Sequence, residues 1–174
     1  MNQNAMKTNQ NSLQNINVKL LAFDITSLTH TTIPSSPDPT TFYFRKGVRI
    51  SRVEVAGIVV TRDLKPDKFI RFSIDDGTGC VQCIMWLNQM TSAYFSRRCP
   101  SDVRCIAQMA NLFSSRVQLG EFVRVRGRVS GFRGLVQVTV DDVVAEVDPN
   151  SDVLHWLDCV NLARKRYDLL SCCK

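Results

Sequence analysis

The stretch VEVAGIVVTRDLKPDKFIRFSIDDGTGCVQCIMWLN, residues 53–88, decides how this chain folds. It holds three runs in which side chains alternate with period two, the pattern of a sheet with one buried face. In the first, Val53, Val55, Gly57 and Val59 share one face, and Arg52, Glu54, Ala56 and Ile58 the other, with glycine where the strand can bend. DLKPD (63–67) is a turn. In KFIRFSI (68–74), Ile70, Phe72 and Ile74 oppose Phe69, Arg71 and Ser73. DDGTG (75–79) has the Asp and Gly chemistry of a tight hairpin connection, and CVQCIMWLN (80–88) then sets Val81, Cys83, Met85 and Leu87 against Gln82, Ile84 and Trp86.

Downstream the period changes. Behind a capping Ser101, the residues Val103, Ile106, Ala107, Ala110 and Phe113 recur at helical spacing. Alternation returns in EFVRVRGRVS (121–130) and LVQVTVDDVVAEV (135–147), joined through GFRG (131–134). Three strands, a helix and two more strands is the linear order of an OB-fold barrel, so the fold class is mainly β: a single five-stranded OB-fold barrel with an interrupting helix. Pro149, Asn150 and Ser151 then start a C-terminal amphipathic helix over 152–168, whose stripe holds Val153, Trp156, Leu157, Val160, Ala163 and Tyr167. Arg164, Lys165 and Arg166 sit near its end, where the helix dipole favours cations.

Upstream, residues 1–17 are rich in Asn and Gln and too poor in apolar groups to offset the entropy of ordering them, so a disordered polar tail is expected. VKLLAFDITSL (18–28) reads as a strand or docking segment, and THTTIPSSPDPTT (29–41), with three prolines, as a loop. A compact fold is therefore expected to begin near Phe42 to Lys46. The resulting division is a tail (1–17), an N-terminal extension (18–45), the barrel (46–148), and a helix with its tail (149–174).

The 174 residues suit one domain, and 44% apolar with 22% charged residues suits one soluble core. No uninterrupted apolar run reaches the roughly 18 residues of a membrane span, and the first residues lack signal-peptide or transit-peptide character. The net charge of +6 is unevenly spread: Arg45 to Arg133 holds 16 basic and 7 acidic residues, whereas Gly134 to Lys174 holds 4 and 7. A strongly basic central block favours an acidic partner. Seven cysteines, an odd number without regular close spacing, read as reduced intracellular thiols.

With these elements placed, the residues resemble a known family. The 53–88 string followed by GEFVRVRGRVSGFRGLVQVTV (120–140) is similar to the STN-family OB-fold subunit of the trimeric telomere-capping complex CST, which pairs with a small partner. VKLLAFDITSL (18–28) and FYFRKGVRISRVEV (42–55) resemble its plant-type members, so the likeness spans roughly residues 18–168. That subunit is similar in turn to the middle subunit of replication protein A. Animal and fungal members carry winged-helix domains after the barrel, whereas this chain stops at Lys174, as plant-type members do soon after their last helix. The resemblance implies a non-enzymatic, telomere-capping, single-stranded DNA-binding subunit that protects 3′ overhangs and assists fill-in synthesis of the complementary strand. The implied partners are a small OB-fold TEN-type subunit, the large conserved telomere component, single-stranded telomeric DNA and DNA polymerase alpha-primase, in the nucleus at telomeres, with no membrane and no cofactor. A replication protein A-like trimer in general replication and repair is the alternative, and an OB-fold attached to an enzyme body a third.

OB-folds grip single strands on the outer surface of strands 2 and 3 between two flanking loops, using aromatic planes for bases and cations for phosphates. The candidates are Phe69, Arg71, Ile84 and Trp86 on that face, Arg62, Lys65 and Lys68 in one loop, and Phe132 and Arg133 in the other. Alternation alone does not say whether Phe69 and Trp86 meet bases or pack beneath the interrupting helix or the N-terminal segment. Arg124, Arg126 and Arg128, spaced by two, make either a phosphate groove or an ordinary solvated strand face. For the terminal helix, Val153, Trp156, Leu157, Val160, Ala163 and Tyr167 form a stripe wide enough to face another protein, and the resemblance supplies the small OB subunit; folding back onto its own barrel is the other reading. Cys80 and Cys83 point to opposite faces of one strand and do not make a zinc site. Asp75 and Asp76 fit a turn better than an acid pair, and neither His30 nor His155 has the sequence context of a catalytic base. No metal, cofactor or catalytic set is expected.

Overall fold

The computed structural model describes residues 13, 16–32, 40–66, 68–87 and 100–168. Most of the N-terminal tail, the middle of the proline-rich segment, and Cys99, Cys172 and Cys173 lie outside them.

The barrel is built on one long strand. β5 (Arg52–Lys65) pairs through residues 52–58 with β8 (Phe122–Phe132) and through residues 58–65 with β6 (Phe69–Asp75). β6 pairs with β7 (Cys80–Trp86), β7 runs parallel to β9 (Leu135–Ala145), and β9 returns antiparallel to β8, so the order β5-β6-β7-β9-β8 closes on itself. The change of partner falls at Ile58, beside Gly57. A Cβ on Gly57 would stand 2.6 Å from the carbonyl oxygen of Asp75, so no larger residue fits without moving backbone. The inward faces predicted by alternation are inward: Val53, Val55, Val59, Ile70, Phe72, Ile74, Val81, Cys83 and Met85 are all buried. The interrupting helix, α2 (Pro100–Arg116), lies between β7 and β8 and packs Phe113 against the core ahead of the buried Val117. Expected as its cap, Ser101 falls inside its first turn.

The segment before the barrel departs from expectation. β1 (Asn17–Lys19) runs parallel to β5, and Leu20 N donates to Glu54 O at 3.0 Å. α1 (Ala22–Thr26) follows, with Ala22 and Ile25 buried. The core therefore starts at Val18 rather than near Phe42. Thr29–Thr32, read as loop, is β2; it pairs with β3 (Thr40–Phe44), which pairs with β4 (Val48–Ile50). A threonine-rich run is polar enough to resemble a loop, yet its β-branched side chains favour extended backbone once a neighbouring strand offers hydrogen bonds. Phe42, Phe44 and Ile50 from this small sheet join the core.

α1 is anchored by the β6–β7 connection. Ala22 N donates to Asp76 Oδ2 at 2.7 Å and Phe23 N to Thr78 Oγ1 at 3.1 Å. Within the connection, Asp75 and Asp76 accept from the amides of Gly77 and Thr78 at 2.8 and 2.9 Å, and Gly77 has φ +83°. The turn role expected of the two aspartates is thus accompanied by a second one, fixing the N-terminus of a helix more than fifty residues upstream.

Candidate nucleic-acid and partner surfaces

Antiparallel pairing of β6 with β7 puts Phe69 opposite Trp86, with ring centroids 5.7 Å apart and planes at 72°. Trp86 is 37% exposed. The guanidinium of Arg71 lies 5.2 Å from the Phe69 centroid and 5.7 Å from that of Phe132, bridging the sheet to the β8–β9 connection. Lys65 lies over Phe69 at 5.3 Å and Arg133 over Phe132 at 5.2 Å. Phe132 pairs with Leu135, leaving Arg133 and Gly134 as a two-residue turn with φ of +52° and +79°. Lys68 is exposed in the β5–β6 turn, where its carbonyl accepts from Leu87 N at 2.9 Å. Lys65, Lys68, Phe69, Arg71, Trp86, Phe132 and Arg133 therefore gather on one flank, three aromatic rings among four cations. Arg62 stands apart: its Nε donates to Val117 O at 2.6 Å, so it braces the chain leaving α2. Ile84, on the same strand face, is buried.

Two arginines of the β8 row, Arg124 and Arg126, belong to a lattice of ion pairs. Arg124 bonds Glu146 at 2.6 Å, and Arg126 Nε donates to Glu54 Oε2 at 2.6 Å with Asp142 at 3.9 Å. Neighbouring Arg52 bonds Asp141 at 2.6 Å. Lys19 on β1 joins Glu54 at 3.5 Å to Asp158 at 2.7 Å. Burial alone would push the Glu54 carboxyl up, but the hydrogen bond and charge of Arg126, with Lys19 behind it, outweigh burial and hold it below the usual range. Arg124 and Arg126 are thus engaged within the chain, which is neither of the two arrangements expected from spacing alone.

α3 (Ser151–Leu162) continues into a π turn, Ala163–Tyr167, and has two faces. Its buried face carries His155 and Cys159, with Nε2 and Sγ 3.4 Å apart. Burial pushes the Cys159 thiol up to about 12 and holds the His155 imidazole below its ordinary value. On the other face Val153, Leu154, Trp156 and Leu157 remain exposed, Trp156 at 47% and Leu157 at 52%. Val160 is half-buried, and Ala163 is half-buried against the chain's own core. Tyr167 corrects the sequence reading. It is only 6% exposed, edge-on to Phe44 at 5.7 Å, and its hydroxyl donates to Lys19 O at 3.4 Å. The reason is the π turn: Asp168 N bonds Ala163 O at 2.9 Å, five residues back, which widens the last turn and rotates Tyr167 off the Trp156 stripe onto the barrel.

Beside the exposed stripe runs a groove of about 540 Å3. Its barrel wall is Ile58, Val60 and Phe122, its helix wall Val153, Trp156 and Leu157, and Asp75, Asp76 and Asp152 stand at its margin. Sequence reading missed the barrel wall, although a signal was present: Ala56, Ile58 and Val60 are apolar on the face where β5 should be polar. The two surfaces lie at opposite ends of the β6–β7 hairpin, the aromatic flank where Phe69 meets Trp86 and the groove beside Asp75 to Gly77. Elsewhere, Cys80 is exposed and Cys83 buried, on opposite faces of β7, and His30 on β2 lies against Phe42. Among the described residues no helix is long and apolar enough to cross a membrane, and no group of three or more His, Cys, Asp or Glu is placed to hold a metal ion.

A family described as an OB-fold nucleic acid binding domain matches residues 53–145. The CST complex subunit STN1 of Arabidopsis thaliana is 46% identical over 156 residues, covering 90% of this chain and 94% of that protein. The chain belongs to the STN1 family. Among solved structures, the Stn1–Ten1 complex of S. pombe contains a chain that superposes on this STN1-family fold with a TM-score of 0.64, covering 88% of this chain and 95% of that one at 14% identity. A replication protein A heterotrimer bound to single-stranded DNA gives 0.62, with 86% and 97% covered at 17% identity. At such identities the likeness is one of fold. The long identity with the plant protein agrees with the plant-type resemblance of residues 18–28 and 42–55.

Proposed function

We propose that this chain is the STN1-type subunit of a CST telomere-capping complex, acting by binding rather than by catalysis in the nucleus at chromosome ends. Its α3 stripe and the adjoining groove hold a small OB-fold partner of the TEN1 type, and its β6–β7 flank contacts single-stranded telomeric DNA. Docked in this way, it shields 3′ overhangs and supports fill-in of the complementary strand alongside the large subunit and DNA polymerase alpha-primase. One observation carries the partner assignment: Trp156 and Leu157 stay half exposed on a helix whose opposite face is already packed. Exposed aromatic and aliphatic residues lining one groove are what a stable protein interface requires.

The test is recovery of the tagged chain from nuclear extract with identification of its stable companions. A small OB-fold chain together with a large telomere component supports the proposal. A replication protein A-type pair of companions would favour the second reading, which the 0.62 superposition keeps in view as a matter of fold. Leu157→Asp should lose the small companion; its retention at normal strength would reject the assignment of the groove.

A further inference from the structure

The small sheet carries a surface that neither the aromatic flank nor the groove uses. In the order β2-β3-β4, β2 is an edge strand, and all four of its residues are exposed. Among the described residues its outer edge meets no further strand, so alternate backbone amides and carbonyls along about 13 Å of chain face outward. Lysine, proline and bulges are the usual guards of such an edge, and Thr29–Thr32 contains none of them. Its shortness limits what pairs with it to one brief segment. At one end of the edge lies a pocket of about 300 Å3, which shares no lining residue with the partner groove. Tyr43, directly opposite Thr29 on β3, and Phe44 form its aromatic side, and Phe23 of α1, 60% exposed, stands at its margin. The two charged residues of the lining are paired with each other: Arg45 Nη2 donates to Asp24 Oδ1 at 2.7 Å, and Arg45 Nη1 also lies 3.7 Å from Asp168.

We infer that β2 takes up an extended peptide of another protein as a fourth strand of this sheet, and that the pocket receives one uncharged aromatic side chain of that peptide. Residues directly opposite on neighbouring strands share a face, so the peptide residue facing Thr29 is on the side where Thr29 and Tyr43 both line the pocket. Main-chain hydrogen bonds then supply affinity, and the pocket supplies selectivity. Its volume, at the lower end of the range for small-molecule sites, suits one large side chain. A nucleic-acid strand matches the edge less well, because its phosphates offer acceptors without donors and the only guanidinium of the pocket is committed to Asp24.

The probes are acetylated seven-residue peptides of alternating threonine and valine with tryptophan, alanine or lysine at the centre, titrated into the full isotope-labelled chain and followed by NMR. Without peptide, alternate amides of Thr29–Thr32 should exchange quickly with water; with the tryptophan peptide they should become protected, and the resonances of Tyr43 and Phe23 should shift. The alanine and lysine peptides should bind about tenfold more weakly. Tyr43→Ala and Phe23→Ala should each remove most of that preference, and Phe23→Ala, at an exposed site, should leave the melting temperature unchanged. Methylating alternate peptide nitrogens should abolish binding for one set and spare it for the other, as a strand bonded along one edge requires. Equal binding by both methylated sets would overturn the inference, as would a tryptophan preference that survives both substitutions. So would full protection of all four amides before any peptide is added, failure of every peptide to perturb Thr29–Thr32 at millimolar concentration, or displacement of the peptide from these residues by an oligo-dT strand.

Discussion

Arg126 reaches across the barrel wall to Glu54, its Nε donating to Oε2 at 2.6 Å, and so neutralises a carboxylate that is only 5% exposed. Lys19 approaches the other carboxylate oxygen at 3.5 Å and continues to Asp158 on α3. Arg126→Leu should destabilise the chain by about 1–3 kcal/mol. That is less than a fully buried pair would lose, because the arginine is partly in water and Lys19 remains. Since the folded state holds Glu54 below its ordinary value of 4.5, the contribution is complete at neutral pH. It disappears as pH falls below 4.5 through the depressed value. The gap in urea midpoint between wild type and Glu54→Gln should therefore be smaller at pH 4 than at pH 7; a gap of equal size at both would refute the pairing.

His155 titrates at higher pH. Buried against Cys159, with Lys19 opposing its charge and a Leu20 backbone hydrogen bond, Glu54 and Asp76 favouring it, the imidazole is held below 6.5. Stability from the neutral form is present above 6.5 and is lost as pH falls from there toward the lowered value. Melting temperature should be flat from pH 8 to 7 and decline by pH 5.5, before the carboxylates protonate. His155→Leu should flatten that decline, and a variant that declines as steeply as wild type would show that another group is responsible.

Two aromatic residues eleven positions apart on the terminal helix should part company on substitution. Tyr167→Ala removes a buried ring packed on Phe44 and should cost about 3–5 kcal/mol, some 6–20 °C in melting temperature. Trp156→Ala, at a half-exposed site, should change stability by no more than about 0.5 kcal/mol while weakening capture of the small partner. Calorimetry and co-purification separate the two, and comparable losses of melting temperature would mean that Trp156 belongs to the core.

Gly57 adjoins Ile58, the residue at which β5 passes from β8 to β6. Gly57→Ala places a methyl group against the Asp75 backbone and should cost about 1–3 kcal/mol, because a carbonyl within the barrel seam cannot move aside as a flexible side chain would. Gly77→Asn, in an open turn at φ +83° with nothing near its Cβ, should be tolerated. Equal melting temperatures for the two variants would remove the close approach as the reason for the glycine.

The five barrel strands and both long helices were legible in residues 49–168 because alternation and helical spacing are local properties: each side chain reports which face it needs, whatever the partner. The same locality explains the composition of the aromatic, cationic flank, since Phe69, Arg71 and Trp86 must share a face once their strands pair in register. Residues 17–32 were less legible. Their contribution to the core depends on β5 and the β6–β7 turn, more than thirty positions away, and nothing in THTT announces a strand until Tyr43 and Phe42 lie beside it.

Long-range placement also governed what charge and spacing left open. Arginines at 124 and 126 became ion-paired because β5 and β9, with the residue just after β9, bring Glu54, Asp142 and Glu146 to them. Tyr167 turned inward because one hydrogen bond from Asp168 to Ala163 widened the helix by a residue. Periodicity is written in neighbours along the chain, whereas the pairing of charges and the choice between a ring's two possible sides are written in neighbours across it. Those exist only after the barrel has closed.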